Sequence, residues 1–254
     1  MNSPLSPENG NPKKPWRDIL YSDYSAHFGE RKNYARDGQF YLYDQMYPDL
    51  LPADCDGPVL DLGCGKGEWL QWMQSRGYHN LTGVDLSQED LEHARSHGLN
   101  TVREDVIAFL QKQSACFSVI HAKDLIEHLD KQEAVTLCAA AFTALAPGGR
   151  FILSTFNAQA PFSSATRYGD FTHENGFTPS SLEQLLHACQ FSYVDVRGVH
   201  ICPSGWKGAL RHLMYRLVNS LSQFICTLRH GRGSAGHSSC NPDLLACATK
   251  SPCS

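Results

Sequence analysis

Four groups of residues have the types and spacing for chemistry. The first is Asp61-x-Gly63-x-Gly65-x-Gly67, which follows an apolar run and leads into a helix-like stretch from Glu68. A strand that turns on glycines into a helix offers free backbone N–H groups and a partial positive charge, a seat for a carboxylate or phosphate. Glycines permit the backbone angles of such a turn and let a ligand approach the main chain closely. The spacing differs from the Gly-x-Gly-x-x-Gly fingerprint of dinucleotide sites. The second is Asp85, which ends the run Leu81-Thr82-Gly83-Val84-Asp85-Leu86. A carboxylate about 20 residues beyond such glycines is placed to take both hydroxyls of a ribose. The third is Glu127-His128, in Lys123-Asp124-Leu125-Ile126-Glu127-His128-Leu129. The fourth is His173-Glu174, inside a long stretch rich in turn residues. Histidines and carboxylates at a pocket can remove a proton from a reacting hydroxyl.

These groups need elements to hold them at one place. Strands are expected over residues 58–62, 81–86, 100–103, 117–122, 150–155, 191–200 and 243–249, and helices over 68–76, 88–97, 107–111, 131–145 and 179–189. Pro147-Gly148-Gly149 reads as the stop after the helix 131–145, and Thr178 or Ser180 as the cap before the helix 179–189. Strands alternating with helices imply an α/β fold with a parallel sheet. Open sheets of this kind place their chemistry at the carboxyl ends of the strands. The segment 156–178 reads as a long loop, and loops of that length are usually functional or disordered.

The chain of 254 residues is sufficient for one large α/β domain with extensions. Its net charge of −4 argues against bulk nucleic-acid binding. The ten cysteines form no Cys-x-x-Cys pair, which reads as reduced thiols and a cytoplasmic protein. Residues 1–15 are polar and rich in Pro and Asn; they read as disordered and not as a signal peptide. No apolar run reaches the length of a membrane span.

Residues 16–254 read as a single domain with two additions. Aromatics are dense between Trp16 and Leu51, as expected of helices over the mouth of the domain. They form either a lid, with Tyr34 and Arg36 reaching a ligand, or ordinary packing, which is what aromatics do first. The second addition spans 203–241. Between Asp195 and Asp243 there are six Lys or Arg and no Asp or Glu. Within it Trp206, Leu210, Leu213, Met214, Leu217, Leu221, Phe224, Ile225 and Leu228 recur at helical spacing. A basic amphipathic helix over 206–229 follows. It packs on the body, pairs with a second subunit as a homodimer, or lies on an anionic membrane surface; packing, on the body or on a second subunit, is the ordinary expectation. The Gly/Ser/His stretch 231–240 fits no zinc spacing.

The glycine turn with its preceding acid resembles motif I of the class I S-adenosylmethionine (SAM) methyltransferases. "IEHL", "LAPGGRFILST", the acid after the second strand and Asp105 after the third agree with that family in order and spacing over roughly residues 55–200. The resemblance implies a Rossmann-like, seven-stranded, mostly parallel sheet with helices on both faces and an antiparallel last strand. It implies SAM as cofactor, with Asp61, Gly63, Cys64, Gly65 and Gly67 at the methionine end. Asp85 and Leu86 belong at the ribose, and Asp105 and Val106 at the adenine. Asp105 also reads as a helix N-cap, and the two roles are compatible.

Methyl transfer from SAM is an in-line displacement in which positioning does much of the work. An alcohol acceptor also needs a base. His173 and then His128 are the candidates, with Glu127 and Glu174 beside them; His121, within a strand, reads as structural. Asp124 and Asn157 alone do not make a metal site, and none is expected. The stretches "YARDGQFYLYDQ" and "RYGDFTHENGFTPSSLEQLL" resemble methyltransferases of bacterial surface-polysaccharide synthesis. That implies O-methylation of a sugar hydroxyl on a lipid-linked or nucleotide-linked glycan. The alternatives are a small-molecule O-methyltransferase acting on a quinone precursor, and a SAM-binding partner protein without catalysis. An enclosed apolar pocket would suit the quinone precursor, and an open groove with polar and aromatic walls the glycan.

Overall fold

The computed structural model describes residues 20, 36–199, 205–230 and 241–252. Arg36–Ser254 form one compact unit. The expected disorder of 1–15, Tyr34 and the side chain of Arg36 lie outside the described residues.

Seven strands form one sheet: β1 (Val59–Leu62), β2 (Leu81–Asp85), β3 (Asn100–Arg103), β4 (Phe117–Lys123), β5 (Leu145–Phe156), β6 (Tyr193–Gly198) and β7 (Asp243–Thr249). Their order is β3-β2-β1-β4-β5-β7-β6. The β1–β2, β2–β3, β1–β4 and β4–β5 pairs are parallel, and β7 runs antiparallel to both β5 and β6. The order reverses between β1 and β4, the switch point outside which ligands bind in open α/β sheets.

Helices cover both faces: α1 (Arg36–Met46), α2 (Glu68–Ser75), α3 (Gln88–Ser96), α4 (Val106–Leu110), α5 (Lys131–Ala144), α6 (Ser163–Gly169), α7 (Pro179–Ala188) and α8 (Gly205–His230). Alternate side chains of a strand point to opposite faces. Leu60, Leu62, Ile120 and Phe151 therefore join α4, α5 and α7 in one core, while Val59, Val119 and Ile152 join α1, α2 and α3 in the other. The aromatic stretch before β1 is thus partly core: Tyr43 and Tyr47 are buried against Trp72. Local chemistry sets the helix starts. Asp130 and Glu133 form a capping box for α5, and Thr178, with Pro179 behind it, forms another with Ser181 for α7.

Three expectations are corrected. Strand β5 starts at Leu145, and Pro147-Gly148-Gly149 lies within it as an irregularity, where the register passes from Phe117↔Leu145 to Val119↔Arg150. Lys250 holds that stretch, since Gly148 N donates to Lys250 O at 3.0 Å and Lys250 N to Gly149 O at 3.0 Å. The segment 156–178 is not a bare loop, because α6 lies inside it. Finally, α8 does not bury its apolar stripe in the body: Leu213, Leu217, Leu221 and Phe224 are all exposed.

Gly67 is the N-cap of α2, with a left-handed φ of 78°. A Cβ there would overlap Leu99 Cδ1 and stand 3.2 Å from Ala94 Cβ. Gly67→Ala is expected to destabilise the fold by about 1–3 kcal/mol, read as a lower urea midpoint. An unchanged midpoint would contradict the strain.

Candidate functional site

The glycine turn is fastened to β2. Gly63 N and Cys64 N donate to Val84 O at 2.8 and 3.2 Å. Asp85 completes the fastening: its Oδ2 accepts from Gly65 N at 2.8 Å and its Oδ1 from Ser87 N at 2.9 Å. Burial pushes the Asp85 carboxyl above the usual range. Gly63, Gly65 and Gly67 all have positive φ. A Cβ at Gly65 would meet nothing within 4 Å, so the crown of the turn faces open space. Leu86, 59% exposed, stands beside Asp85. Asp105 Oδ1 accepts from Ile107 N and Ala108 N at 3.0 and 2.9 Å as the N-cap of α4, and Val106 behind it is buried.

Asp61 has a partner that spacing did not announce. It lies opposite His121 in the β1–β4 register, and its Oδ1 is 2.7 Å from His121 Nδ1. His121 Nε2 lies 3.1 Å from the Tyr47 hydroxyl, and Trp69 stacks on the imidazole at 3.9 Å. A carboxylate accepts, so the His121 proton sits on Nδ1 and Nε2 accepts from Tyr47. Burial raises the Tyr47 pKa, which keeps the phenol a donor.

The third and fourth residue groups meet at the ends of β4 and β5. Asp124, with a left-handed φ of 51°, turns the chain from β4 into the 3-10 turn Ile126–His128. Glu127 is buried, and its Oε2 accepts from Thr155 Oγ1 at 3.0 Å. The backbone carbonyl of Glu127 accepts from Glu174 N and Asn175 N, which folds the 170s segment onto the turn. Two rings are thereby brought together, His128 and His173, with centroids 4.7 Å apart. His173 also stacks on Phe156. Glu174 takes part through its backbone, whose carbonyl accepts from Arg167.

Hydrogen bonds assign both tautomers. Thr172 Oγ1 donates to Asp170 Oδ1 at 2.6 Å and lies 2.8 Å from His128 Nδ1. A hydroxyl has one proton, so Thr172 accepts from His128, which carries its proton on Nδ1 and a lone pair on Nε2. His173 Nδ1 faces the Thr166 carbonyl at 2.9 Å and is likewise protonated there. Burial, reinforced by the neighbouring His173, lowers the His128 pKa to about 4. Burial, reinforced by the charge of Asp124, raises the Glu127 pKa to about 8. Both groups are thus neutral near pH 7.

Glu127, His128 and His173 each offer a ligand atom within 4.8 Å of the others. Asp124 and Asn157 are not in that group. Two imidazoles and a carboxyl are donor types a transition metal uses, and the same groups can hold and move a proton. Asp170 and Thr172 escaped the sequence reading. Their Asp-x-Thr spacing was a signal, since Asp170 Oδ1 accepts from Thr172 N at 2.9 Å in a local Asx turn.

Comparison with known proteins agrees with this geometry. A family model described as a methyltransferase domain matches residues 34–196. The chain belongs to the class I SAM-dependent methyltransferases. It is similar to the ubiquinone biosynthesis O-methyltransferase of Idiomarina loihiensis, at 28% identity over 66% of this chain and 77% of that protein. In fold it is similar to a SAM-dependent methyltransferase from Archaeoglobus fulgidus, with a TM-score of 0.69, 19% identity and coverage of 90% and 100% of the two chains. It is also similar to phosphoethanolamine N-methyltransferase 2 of Haemonchus contortus in complex with SAM, with a TM-score of 0.57, 17% identity and coverage of 89% and 59%. The methyltransferase uses SAM. The open space over Gly65, with Asp85 and the exposed Leu86 beside it, fits an adenosine with an amino-acid end.

Between pH 4.5 and 8 the folded methyltransferase holds a proton on Glu127 that the unfolded chain releases. That stabilisation is complete below 4.5 and is lost as pH rises through 8. His128 works the other way: its contribution is present above 6.5 and is lost as pH falls towards 4. From pH 6.5 to 8 only the Glu127 effect of this pair changes. The thermal midpoint of the wild type relative to Glu127→Gln is therefore expected to fall across that window. A constant difference would contradict the buried acid.

Proposed function

We propose that this methyltransferase moves the SAM methyl group to a hydroxyl oxygen, and that the acceptor is a sugar hydroxyl of a lipid-linked saccharide. The observation that carries hydroxyl chemistry is the His128–His173 pair, with both rings holding their proton on Nδ1 at the carboxyl ends of β4 and β5. SAM, when bound, supplies a methyl on a sulfonium, a good leaving group. Gly63, Cys64, Gly65 and Gly67 would cradle its amino-acid end. Asp61, with Oδ1 committed to His121, would serve the ammonium directly or through water. Asp85 has lone pairs beyond those given to Gly65 and Ser87 for the ribose hydroxyls. Leu86 and Val106 would flank the adenine, and Asp105 would accept from its amino group.

The acceptor hydroxyl gives its proton to an imidazole Nε2 as the oxygen–methyl bond forms and the sulfur–methyl bond breaks. Asp170 and Thr172 position His128 for this, and the Thr166 carbonyl and Phe156 position His173. Phe162, Tyr168 and Phe171 are widely exposed around α6, which suits an open aromatic wall for a saccharide. An acceptor held at a membrane also suits a chain with an outward apolar helix. The second reading, a small quinone-precursor acceptor, is favoured by the similarity to the ubiquinone biosynthesis O-methyltransferase of Idiomarina loihiensis.

The test is methyl transfer from labelled SAM to a lipid-linked saccharide fraction and, separately, to a catechol, with products identified by mass spectrometry. Labelled saccharide supports the first reading and labelled catechol alone replaces it with the second. SAM binding without turnover of either overturns the catalytic reading. His173→Ala and His128→Ala are each expected to lower kcat by about 10²–10⁴ with SAM affinity retained.

Metal removal separates proton handling from ligation. Activity is expected to survive EDTA. Loss on chelation with recovery on adding a divalent ion would reassign Glu127, His128 and His173 as ligands.

A further inference from the structure

Helix α8 is oriented against the usual rule for a helix on a water-soluble domain, which turns its apolar stripe inward. Its inward contacts are polar. Asn219 is buried and its Nδ2 donates to Asn241 Oδ1 at 2.7 Å, and the Tyr215 hydroxyl donates to the same oxygen at 3.4 Å. Its outward stripe is apolar: Leu217 is 58% exposed, Leu221 60% and Phe224 59%, with Leu210, Leu213 and Leu228 along the same face. The stripe runs the length of a 26-residue helix, about 39 Å at 1.5 Å per residue. No described helix is long and apolar enough to cross a membrane.

Charge chooses the occupant. The helix carries Lys207, Arg211, Arg216 and Arg229 and no Asp or Glu, in a chain whose net charge is −4. At 3.6 residues per turn, Lys207, Arg211 and Arg229 fall along one border of the apolar stripe and Arg216 beyond the other. Pairing with a second copy would bring two cationic helices together with no carboxylate on either to balance them. An anionic lipid surface matches both features at once, apolar side chains entering the acyl boundary and cations meeting head groups.

The attachment of α8 gives the contact a purpose. Asn241, which holds Asn219, accepts through its carbonyl from Asn157 Nδ2 at 2.9 Å, and Asn157 N donates to Pro242 O at 2.7 Å. Asn157 follows directly on β5, at the edge that bears the His128–His173 pair. The segment leaving Asn157 carries Phe162 and Phe171, each 85% exposed.

We infer that α8 is an in-plane docking helix for an anionic membrane surface, which holds the carboxyl edge of the sheet at the lipid boundary. The inference does not depend on which acceptor is methylated.

The test is co-sedimentation of the full chain with phosphatidylglycerol/phosphatidylcholine vesicles and with pure phosphatidylcholine vesicles, without SAM or acceptor, alongside light scattering. Binding to the anionic vesicles is expected, weakened by salt and by Arg216→Glu. Leu217→Glu/Leu221→Glu is expected to cut the bound fraction at least tenfold while circular dichroism and SAM binding stay those of the wild type. Wild-type protein that fails to bind the anionic vesicles, or a double variant that folds and binds as well as wild type, overturns the inference. A wild-type dimer that the double variant dissociates, with no vesicle binding, overturns it in favour of a second copy. Failure of methyl transfer alone leaves the vesicle result standing, so the two proposals fail separately.

Discussion

The bond between Asp61 and His121 fixes the centre of the molecule. The two are register partners on adjacent parallel strands, at the point where the strand order reverses. Both are almost fully buried, so each needs the other: an unpaired polar group in this core would be costly. Their 2.7 Å contact sets the imidazole proton and leaves Nε2 to accept from Tyr47 on the segment after α1, while Trp69 of α2 covers the ring. Four elements are pinned at one point. The glycine turn begins two residues after Asp61, so the place where a ligand meets the main chain is set by a bond buried behind it.

The carboxyl edge beyond that point is built on the same requirement. Glu127, His128, Asp170, Thr172 and Asn157 are all buried there. Hydroxyls do most of the matching: Thr155 serves Glu127, and Thr172 stands between Asp170 and His128. A hydroxyl gives one proton and accepts others, so it relays a preference for one tautomer without carrying charge. The result is an acid and a base next to each other, both neutral near pH 7, because burial moves a carboxyl and an imidazole in opposite directions.

What the sequence made legible was local. The glycine turn and the caps at Asp105 and Thr178 depend on residues a few positions apart, and the structure places each at the turn or cap expected. The alternation of strands and helices was equally local and led to the right sheet. What depended on distant register was hidden. His121 read as structural, and its partner lies 60 residues away across a strand pair. The extension of β5 through Pro147-Gly148-Gly149 depends on Lys250, about a hundred residues later, which no turn signal reports. Helical spacing showed that α8 has an apolar face but not which way that face looks, because periodicity is unchanged when a helix is rotated about its own axis.

That rotation is decided by Asn241. A helix settles with its best partners inward, and leucines would ordinarily win. Here the chain just before β7 offers α8 the buried side-chain amide of Asn241, a residue whose backbone carbonyl is already tied to Asn157. Asn219 and Tyr215 satisfy it, and a leucine in their place would leave the Asn241 side chain without those two bonds. Hydrogen bonds at the end of β5 therefore reach outward through Asn157 and Asn241 to α8, whose apolar stripe faces away from the domain.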